Sequence, residues 1–319
     1  MILRPWLFLA VVRLSFAGWK VSPAGAKPEF SLKAESVTGL SGLSWCQGDL
    51  YYAVSDRQKA VIPIRLTVDP ATGLITAGKV EPAIPLKTEF RDFEDIACDA
   101  AANQVFISAE GPPGIAGFTA SGKALPPVKL PPLFQTAVNN LSMESLTRDP
   151  ATGKAWVANE DTLPGDGPLA SRKVAGLVRL QEFDKAWRPL RQFAWRTETS
   201  SLRVGGSGSG VTGLCLLPGG TLLVMERVFS GLSLEVRLSV AGFEGANDTS
   251  KMPALAGIAF KPAQKLGIFK KNVGFTNYEG IAAGPVLKDG SRSLILVADS
   301  GDETTHSFLA LRLARTAPK

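Results

Sequence analysis

Short apolar runs bounded by turn residues recur from one end of the chain to the other. Runs this short and this uniformly apolar are typical of β-strands that are covered on both faces. A second set of runs carries polar interruptions, which indicates strands in more exposed positions. No stretch beyond residue 26 keeps apolar positions at helical spacing, so the pattern predicts an all-β protein. The continuous runs read LYYAVS, QVFISA, KAWVAN, TLLVME and SLILVA, and the interrupted runs cover 60–69, 175–183, 232–240 and 307–314.

Each continuous run is the second half of a longer repeated segment. The segment opens with polar or acidic residues, continues through a small residue to Leu or Ile, and turns; an Asp or Glu follows the apolar run. Propeller repeats are roughly 40 to 50 residues long, with one four-stranded blade per repeat. The reference residues Leu43, Ile96, Leu146, Leu214 and Ile281 are 53, 50, 68 and 67 residues apart, which predicts a β-propeller. The five copies lie at 38–57, 92–111, 142–161, 210–227 and 277–300.

The number of blades depends on how the longer intervals are used. The 67-residue interval before the last repeat leaves room for a degenerate sixth copy within 243–273, so we expect six blades. The final run, 307–314, has no outer partner after it in the chain. Residues 30–35 are predicted to supply that strand, because closing the ring removes its open edges.

The first 26 residues have the pattern of an export leader. Arg4 precedes an apolar stretch over 6–12, and Ala24-Gly25-Ala26 forms a small-x-small end. Arg13 interrupts the apolar stretch well short of the ~20 residues that a spanning helix needs. We therefore expect residues 1–26 to be a leader and 27–319 to be the mature domain. The protein would be periplasmic or extracellular, with no stable membrane span.

The overall charge does not point to a nucleic-acid partner. The formal net charge is +6, and removal of the predicted leader, which holds three basic residues and no acid, lowers it to +3. The Lys and Arg residues are scattered, without a basic run interleaved with aromatics. Of the three cysteines, Cys215 reads as a buried small hydrophobe, and so do Cys46 and Cys98, although a Cys46–Cys98 bridge remains open.

Several segments resemble one family over almost the whole predicted mature chain. The segments GLSGLS and YYAVSDR near the start, GVTGLCLLPGGTLLVMER in the middle, and NYEGIA, DGSRSLILVADS and HSFLALRL near the end resemble the phytase-like domain family. The likeness spans residues 36–313. The family is described as having the esterase-like activity of phytase, so the resemblance implies an exported β-propeller that acts on esters.

Acidic residues occupy the same place in three of the repeats. Glu94, Glu144 and Glu279 each stand directly before the small residue and the Leu or Ile, where Ser41 and Thr212 stand in the other two repeats. The first strand of each propeller blade lines the central channel, so we expect the three carboxylates to face one funnel. Such a ring suits a hard cation such as Ca²⁺, which takes six to eight oxygen ligands.

A second set of acids follows the apolar runs. A hairpin returns its second strand to the start of the first, so these residues are predicted to lie beside the first set. Acids at strand ends also cap turns or stay solvated, and that alternative is open for both sets. The second set is Asp56, Glu110, Glu160, Glu226 and Asp299. The candidate metal ligands are Glu94, Glu144, Glu279, Asp56, Glu160, Glu226 and Asp299.

Three arginines stand next to these acids, and a catalytic serine finds little support. Arg57, Arg148 and Arg227 could pair with the carboxylates or hold an anionic substrate through a bidentate guanidinium. There is no Gly-x-Ser-x-Gly elbow, and His306 is the single histidine, which excludes sites that need two. The stretch Gly205–Gly210 lacks the Lys of a phosphate loop.

These residues favour a monomeric, metal-assisted hydrolase of phosphate or carboxylic esters. The substrate would be a small or anionic ester, with Ca²⁺ or another divalent cation as cofactor and Glu144 or Glu279 as the base. One alternative is a non-catalytic propeller that binds a protein, a glycan or a small ligand in its funnel. Another is a calcium-dependent, lactonase-like propeller with an added asparagine ligand from Asn140, Asn159 or Asn277.

Overall fold

The protein is a five-bladed β-propeller. The computed structural model describes residues 18–138, 140–199, 209–230 and 233–316. These residues form five antiparallel sheets arranged around one axis, and in four of them the strands run outward in chain order. The first strands of neighbouring blades contact one another in a closed ring. The prediction of an all-β propeller is therefore confirmed.

The blades follow one another along the chain. Blade 1 consists of β3 (Leu40–Gln47), β4 (Leu50–Ser55), β5 (Gln58–Val68), β6 (Ile75–Val80) and the short β7 (Ile84–Pro85) beside β5. Blade 2 consists of β8 (Arg91–Asp99), β9 (Gln104–Gly111) and β10 (Gly114–Thr119). Blade 3 consists of β11 (Ser145–Arg148), β12 (Ala155–Ala158), β13 (Leu177–Phe183) and β14 (Pro189–Arg196). Blade 4 consists of β15 (Gly210–Leu217), β16 (Thr221–Ser230), β17 (Ser233–Gly242) and β18 (Gln264–Gly274).

Blade 5 is built from both ends of the described chain. It consists of β19 (Asn277–Val286), β20 (Arg292–Asp299) and β21 (Thr305–Arg315), with β1 (Trp19–Pro23) and β2 (Glu29–Lys33) both paired to β21. The predicted closing strand is therefore confirmed, since β2 pairs with the first half of β21. Among the described residues the only helical turn is a 3-10 turn at Pro132–Thr136, and no helix is long and apolar enough to cross a membrane.

The expectation of six blades is wrong. The stretch predicted to hold a sixth blade instead forms a long connection and β18, the outer strand of blade 4. The connection packs against blade 3: the carbonyl of Met252 accepts a hydrogen bond from the Arg179 guanidinium, and Leu255 packs on Leu177. The extra length therefore covers the outside of an existing blade.

The core lies between the blades. The described chain has five large apolar clusters, one at each junction between neighbouring sheets. Leu43 and Val297 belong to the cluster between blades 1 and 5, and Val157 and Phe106 belong to the one between blades 2 and 3. Both faces of the second strand of each blade are thus buried, which is why the continuous runs that form these strands are uniformly apolar.

The small residue of the repeat marks the place where inner strands approach most closely. A Cβ at Gly42 would lie 2.7 Å from the carbonyl oxygen of Glu94 in blade 2. A Cβ at Gly280 would lie 2.9 Å from the carbonyl oxygen of Ser41 in blade 1. A disulfide between Cys46 and Cys98 also links blades 1 and 2. The inner ring is therefore tightly packed.

Candidate functional site

Four of the five inner strands, meaning the first strand of each blade, carry a β-bulge at the equivalent position. The candidate acidic residues cluster at this end of the propeller axis. The pairing of each inner strand with its neighbour skips one residue there, and bulges of this kind redirect a side chain. The skipped residue is left outside the regular alternation of the strand, while the Leu or Ile beyond it keeps its place in the core. The residues at the bulges are Ser41, Glu94, Thr212 and Glu279.

Three carboxylates converge at this end of the axis. One oxygen from each of Glu94, Glu110 and Glu144 lies within 4.8 Å of the others, close enough to share a cation. We call this set the carboxylate triad. Glu94 comes from the bulge of β8, Glu110 lies in β9, and Glu144 directly precedes β11. The predicted return of β9 to the start of β8 therefore brings Glu110 into the triad, although it was absent from the candidate ligands.

The loop before β11 holds part of the triad in place. The Ser142 amide donates a hydrogen bond to Oε1 of Glu110, and the Ser142 carbonyl accepts hydrogen bonds from the amides of Glu144 and Glu160. The Ser142 hydroxyl is buried and has no hydrogen-bond partner in the described part of the chain. The same is true of the Thr212 hydroxyl. Carboxylate and hydroxyl oxygens are hard donors, so this chemistry fits Ca²⁺ or a similar cation.

A buried arginine neutralises the carboxylates next to the triad. Arg227 donates through Nη2 to Glu160 Oε1 at 2.5 Å and through Nη1 to Glu279 Oε1 at 2.6 Å. Its Nη1 also donates to the side-chain oxygen of Asn277, whose amide donates to Glu279. Burial opposes the charge of Arg227, but the surrounding carboxylates raise its pKa above its usual value. Arg227 is therefore committed to protein carboxylates rather than free for a substrate.

Three aspartates lie near the rim of this end. Asp56, at the β4–β5 turn, is held by Arg57, whose Nε lies 3.0 Å from Asp56 Oδ2. Asp299 ends β20, and Asp92 in β8 has a left-handed backbone with φ of 58°. Burial, and after it the negative charges of Asp299 and Asp92, raise the pKa of Asp56. The Arg57 side chain is 48% exposed, so it remains accessible to a solute.

The pKa values show how strongly these carboxylates interact. Burial, followed by repulsion from neighbouring carboxylates, raises the pKa of Glu94 and of Glu144 well above the usual value. Burial raises the pKa of Glu110 to about 7, against the Ser142 hydrogen bond that lowers it. Burial also raises the pKa of Glu279 to about 7, against the attraction of Arg227, and the pKa of Asp56 to about 6. Like charges this close favour proton uptake or a bound cation.

The structure does not bring two of the predicted site residues to this end. Glu226 turns toward the outer strands, where it accepts hydrogen bonds from Trp195 Nε1 and from the Glu198 amide. Arg148 is the last residue of β11, and its Nε donates to Asp99 Oδ2 at 3.1 Å. Asp99 lies five residues beyond Glu94 in β8. At about 3.3 Å per residue, that places Arg148 roughly 16 Å along the axis.

Two of the remaining polar candidates, His306 and Asn159, have structural partners. His306 is the second residue of β21, is fully buried, and lies 3.3 Å from the Ser300 hydroxyl through Nδ1. Burial lowers its pKa. Asn159 accepts from the Arg179 amide and is fully buried, and Asn140 lies in the loop before Glu144 with φ of 62°. Of the three asparagines, Asn277 alone contacts a predicted site carboxylate in the described hydrogen bonds.

Fold and site together define a five-bladed propeller with a carboxylate-lined axial end. The chain belongs to the phytase-like family, whose description is "Esterase-like activity of phytase" and whose sequence profile matches residues 35–301. The match covers all five blades apart from β21 and the closing strands β1 and β2. A search of curated protein sequences found no match.

Two solved structures align with most of this chain. An endo-arabinase from Bacteroides thetaiotaomicron aligns with 91% of this chain and 99% of its own, at 11% identity and a TM-score of 0.52. The PQQ-bound aldose sugar dehydrogenase from Streptomyces coelicolor aligns with 93% of this chain and 99% of its own, at 12% identity and a TM-score of 0.41. At 11% identity the similarity to the endo-arabinase concerns the fold alone.

Proposed function

We propose that this protein is an exported, monomeric hydrolase of phosphate or carboxylic esters that works with Ca²⁺ or another divalent cation. The convergence of the Glu94, Glu110 and Glu144 oxygens within 4.8 Å is the observation that carries the proposal. Membership of the phytase-like family supports the reaction class through the family description. The predicted leader supports export to the periplasm or the medium.

The triad residues would hold the cation. When bound, a divalent cation polarises an ester oxygen or lowers the pKa of a water molecule. Glu144 and Glu110 are each 6% exposed, so their charges are poorly solvated without a cation. In addition to burial, the negative charge of Glu160 raises the pKa of Glu144 and Glu110, and that of Asp56 raises the pKa of Glu94, so both add negative potential to the triad. Asp299 acts in the same way on Asp56 and Glu279.

Glu279 is the proposed proton acceptor. Its pKa of about 7 lies close to neutral pH, where a general base works best. Arg227 and Asn277 both donate to Glu279 Oε1, which fixes the orientation of its carboxylate. Arg57 is the proposed contact for an anionic group of the substrate, because its guanidinium is half exposed at the rim.

Turnover of simple esters tests the proposal. The purified protein is incubated with p-nitrophenyl phosphate and with p-nitrophenyl acetate, in CaCl₂ and in EDTA. We expect turnover in CaCl₂ only, and a loss of about 100-fold or more in kcat for Glu279→Gln. Glu89→Gln, at an exposed position of the β7–β8 connection, is the matched control and keeps full activity. Absence of turnover with both esters in CaCl₂ contradicts the proposal.

A non-catalytic binding role is the second candidate. The pairing of Glu279 and Glu160 with Arg227 favours it, because salt-bridged carboxylates are less available as bases. In that case calcium titration by calorimetry shows binding that Glu144→Gln abolishes, while no ester is hydrolysed. Calcium-dependent turnover that Glu279→Gln abolishes excludes this role.

A further inference from the structure

The segment 18–26, which the small-x-small pattern at Ala24 to Ala26 assigns to a leader, is part of the folded propeller. Strand β1 pairs with the second half of β21 in a regular antiparallel register, from Trp19 opposite Arg315 to Pro23 opposite Leu311. The Gly18 carbonyl accepts hydrogen bonds from the amide and the hydroxyl of Thr316 at 2.6 and 2.7 Å.

The side chains of this segment are also packed. Val21 is 6% exposed and belongs to the cluster between blades 4 and 5. Ala24 is 6% exposed and belongs to the cluster between blades 1 and 5, and its amide donates to the Ala310 carbonyl. The Arg315 guanidinium lies 4.8 Å from the centre of the Trp19 ring. The segment therefore joins three blades.

Strands β1 and β2 together close the ring by pairing with different halves of β21. Strand β2 covers the edge of β21 from Thr305 to Leu309, and β1 covers it from Leu311 to Arg315. A cut after Ala26 would remove β1 and leave the second half of that edge unpaired. It would also uncover part of the cluster that holds Leu311 and Leu313. Open edges and exposed apolar surface promote aggregation.

The sequence offers a second cleavage pattern just before this segment. Ser15-Phe16-Ala17 is also small-x-small, and it ends directly before Gly18. Leaders of 17 and of 26 residues both fall within the usual 15 to 30, so length does not choose between them. The pairing and packing of residues 18–26 distinguish the two patterns, because only a cut before Gly18 keeps β1 in the propeller.

We infer that a leader peptidase hydrolyses the peptide bond between Ala17 and Gly18, so that the mature protein begins at Gly18. Water supplies the hydroxyl of the new Ala17 carboxylate and the proton of the new Gly18 amine. The inference rests on the proposed export of the protein but not on the proposed hydrolysis of esters.

The intact mass of the exported protein tests the cut. The full chain carries a C-terminal tag and is produced in a Gram-negative host, and the periplasmic product is analysed by mass spectrometry. We expect an N-terminus at Gly18. Ala17→Phe leads to accumulation of the uncut precursor, because a large side chain blocks the small position, and the matched Ala26→Phe leaves processing unchanged. A mature N-terminus at Lys27, or a chain that stays uncut and cytoplasmic, overturns the inference.

A comparison of melting temperatures tests whether the mature fold needs residues 18–26, independently of export by the natural leader. Two chains are placed behind the same heterologous leader, one beginning at Gly18 and the other at Lys27. We expect the chain without residues 18–26 to melt about 4 °C or more below the other, since it lacks the β1 pairing. Equal melting temperatures would overturn the claim that the mature fold needs this segment. Ester hydrolysis enters neither measurement, so a failure of the proposed activity stays distinguishable.

Discussion

Neutralising Glu110 should stabilise the cation-free protein, although it removes a buried, hydrogen-bonded residue. Glu110→Gln keeps an oxygen that can accept the Ser142 amide hydrogen bond. It removes a negative charge that burial and the nearby Glu160 and Asp92 disfavour. In the folded protein the pKa of Glu110 is raised from 4.5 to about 7. The wild-type protein must therefore ionise a disfavoured group as the pH rises.

The sign and size of the effect follow from that shift. Below pH 4.5 Glu110 is protonated in both the folded and the unfolded chain, so Glu110→Gln changes the free energy of unfolding little. Between pH 4.5 and 7 the folded state binds more protons, and the wild-type protein loses stability as the pH rises. A shift of about 2.5 pKa units corresponds to about 3 kcal/mol at 1.36 kcal/mol per unit. Above pH 7, Glu110→Gln should be more stable by up to that amount.

Urea denaturation in EDTA at pH 4, 6 and 8 measures this difference. The matched variant Glu89→Gln, at an exposed position, should differ from wild type by less than about 0.5 kcal/mol at each pH. Added CaCl₂ should stabilise wild type more than Glu110→Gln, because the variant has a neutral amide in place of one triad carboxylate. A Glu110→Gln protein that is less stable than wild type at pH 8 in EDTA would refute the reasoning.

Two further substitutions test the contacts around the axis. Arg227→Met should lower the free energy of unfolding by about 3–5 kcal/mol, since it removes the buried guanidinium that pairs with Glu160 and Glu279. The control Arg57→Met, at an exposed position, should lower it by less than about 1 kcal/mol. Similar urea midpoints for the two variants would contradict this expectation. Replacing Cys46 and Cys98 together by alanine opens a 52-residue loop and should cost about 4 kcal/mol by thermal denaturation, and an unchanged melting temperature under non-reducing conditions would argue against the bridge.

Part of the candidate site could be predicted from the repeat, because residues at the same point of each repeat occupy the same position in each blade. Glu94 and Glu279 stand at the same point of their repeats, and in the structure both occupy the bulge of an inner strand. The return of a hairpin also brings Glu110 beside Glu94, since the second strand is antiparallel to the first. The different positions of Arg227 and Arg148 could not be predicted from the repeat. They lie near similar motifs, but one contacts Glu279 and the other contacts Asp99 at the far end of the axis.

By itself the sequence determined the all-β propeller fold, the repeated inner hairpins and one of the two strands that close the ring, because apolar runs, turns and repeat spacing can be read along the chain. Tertiary structure decided that there are five blades, since a long connection can form a new sheet or cover an existing one, and only packing distinguishes the two. It also decided which acids form the triad and which pair with Arg227. Those partners lie far apart in the chain, and their distances depend on how the blades are rotated around the axis.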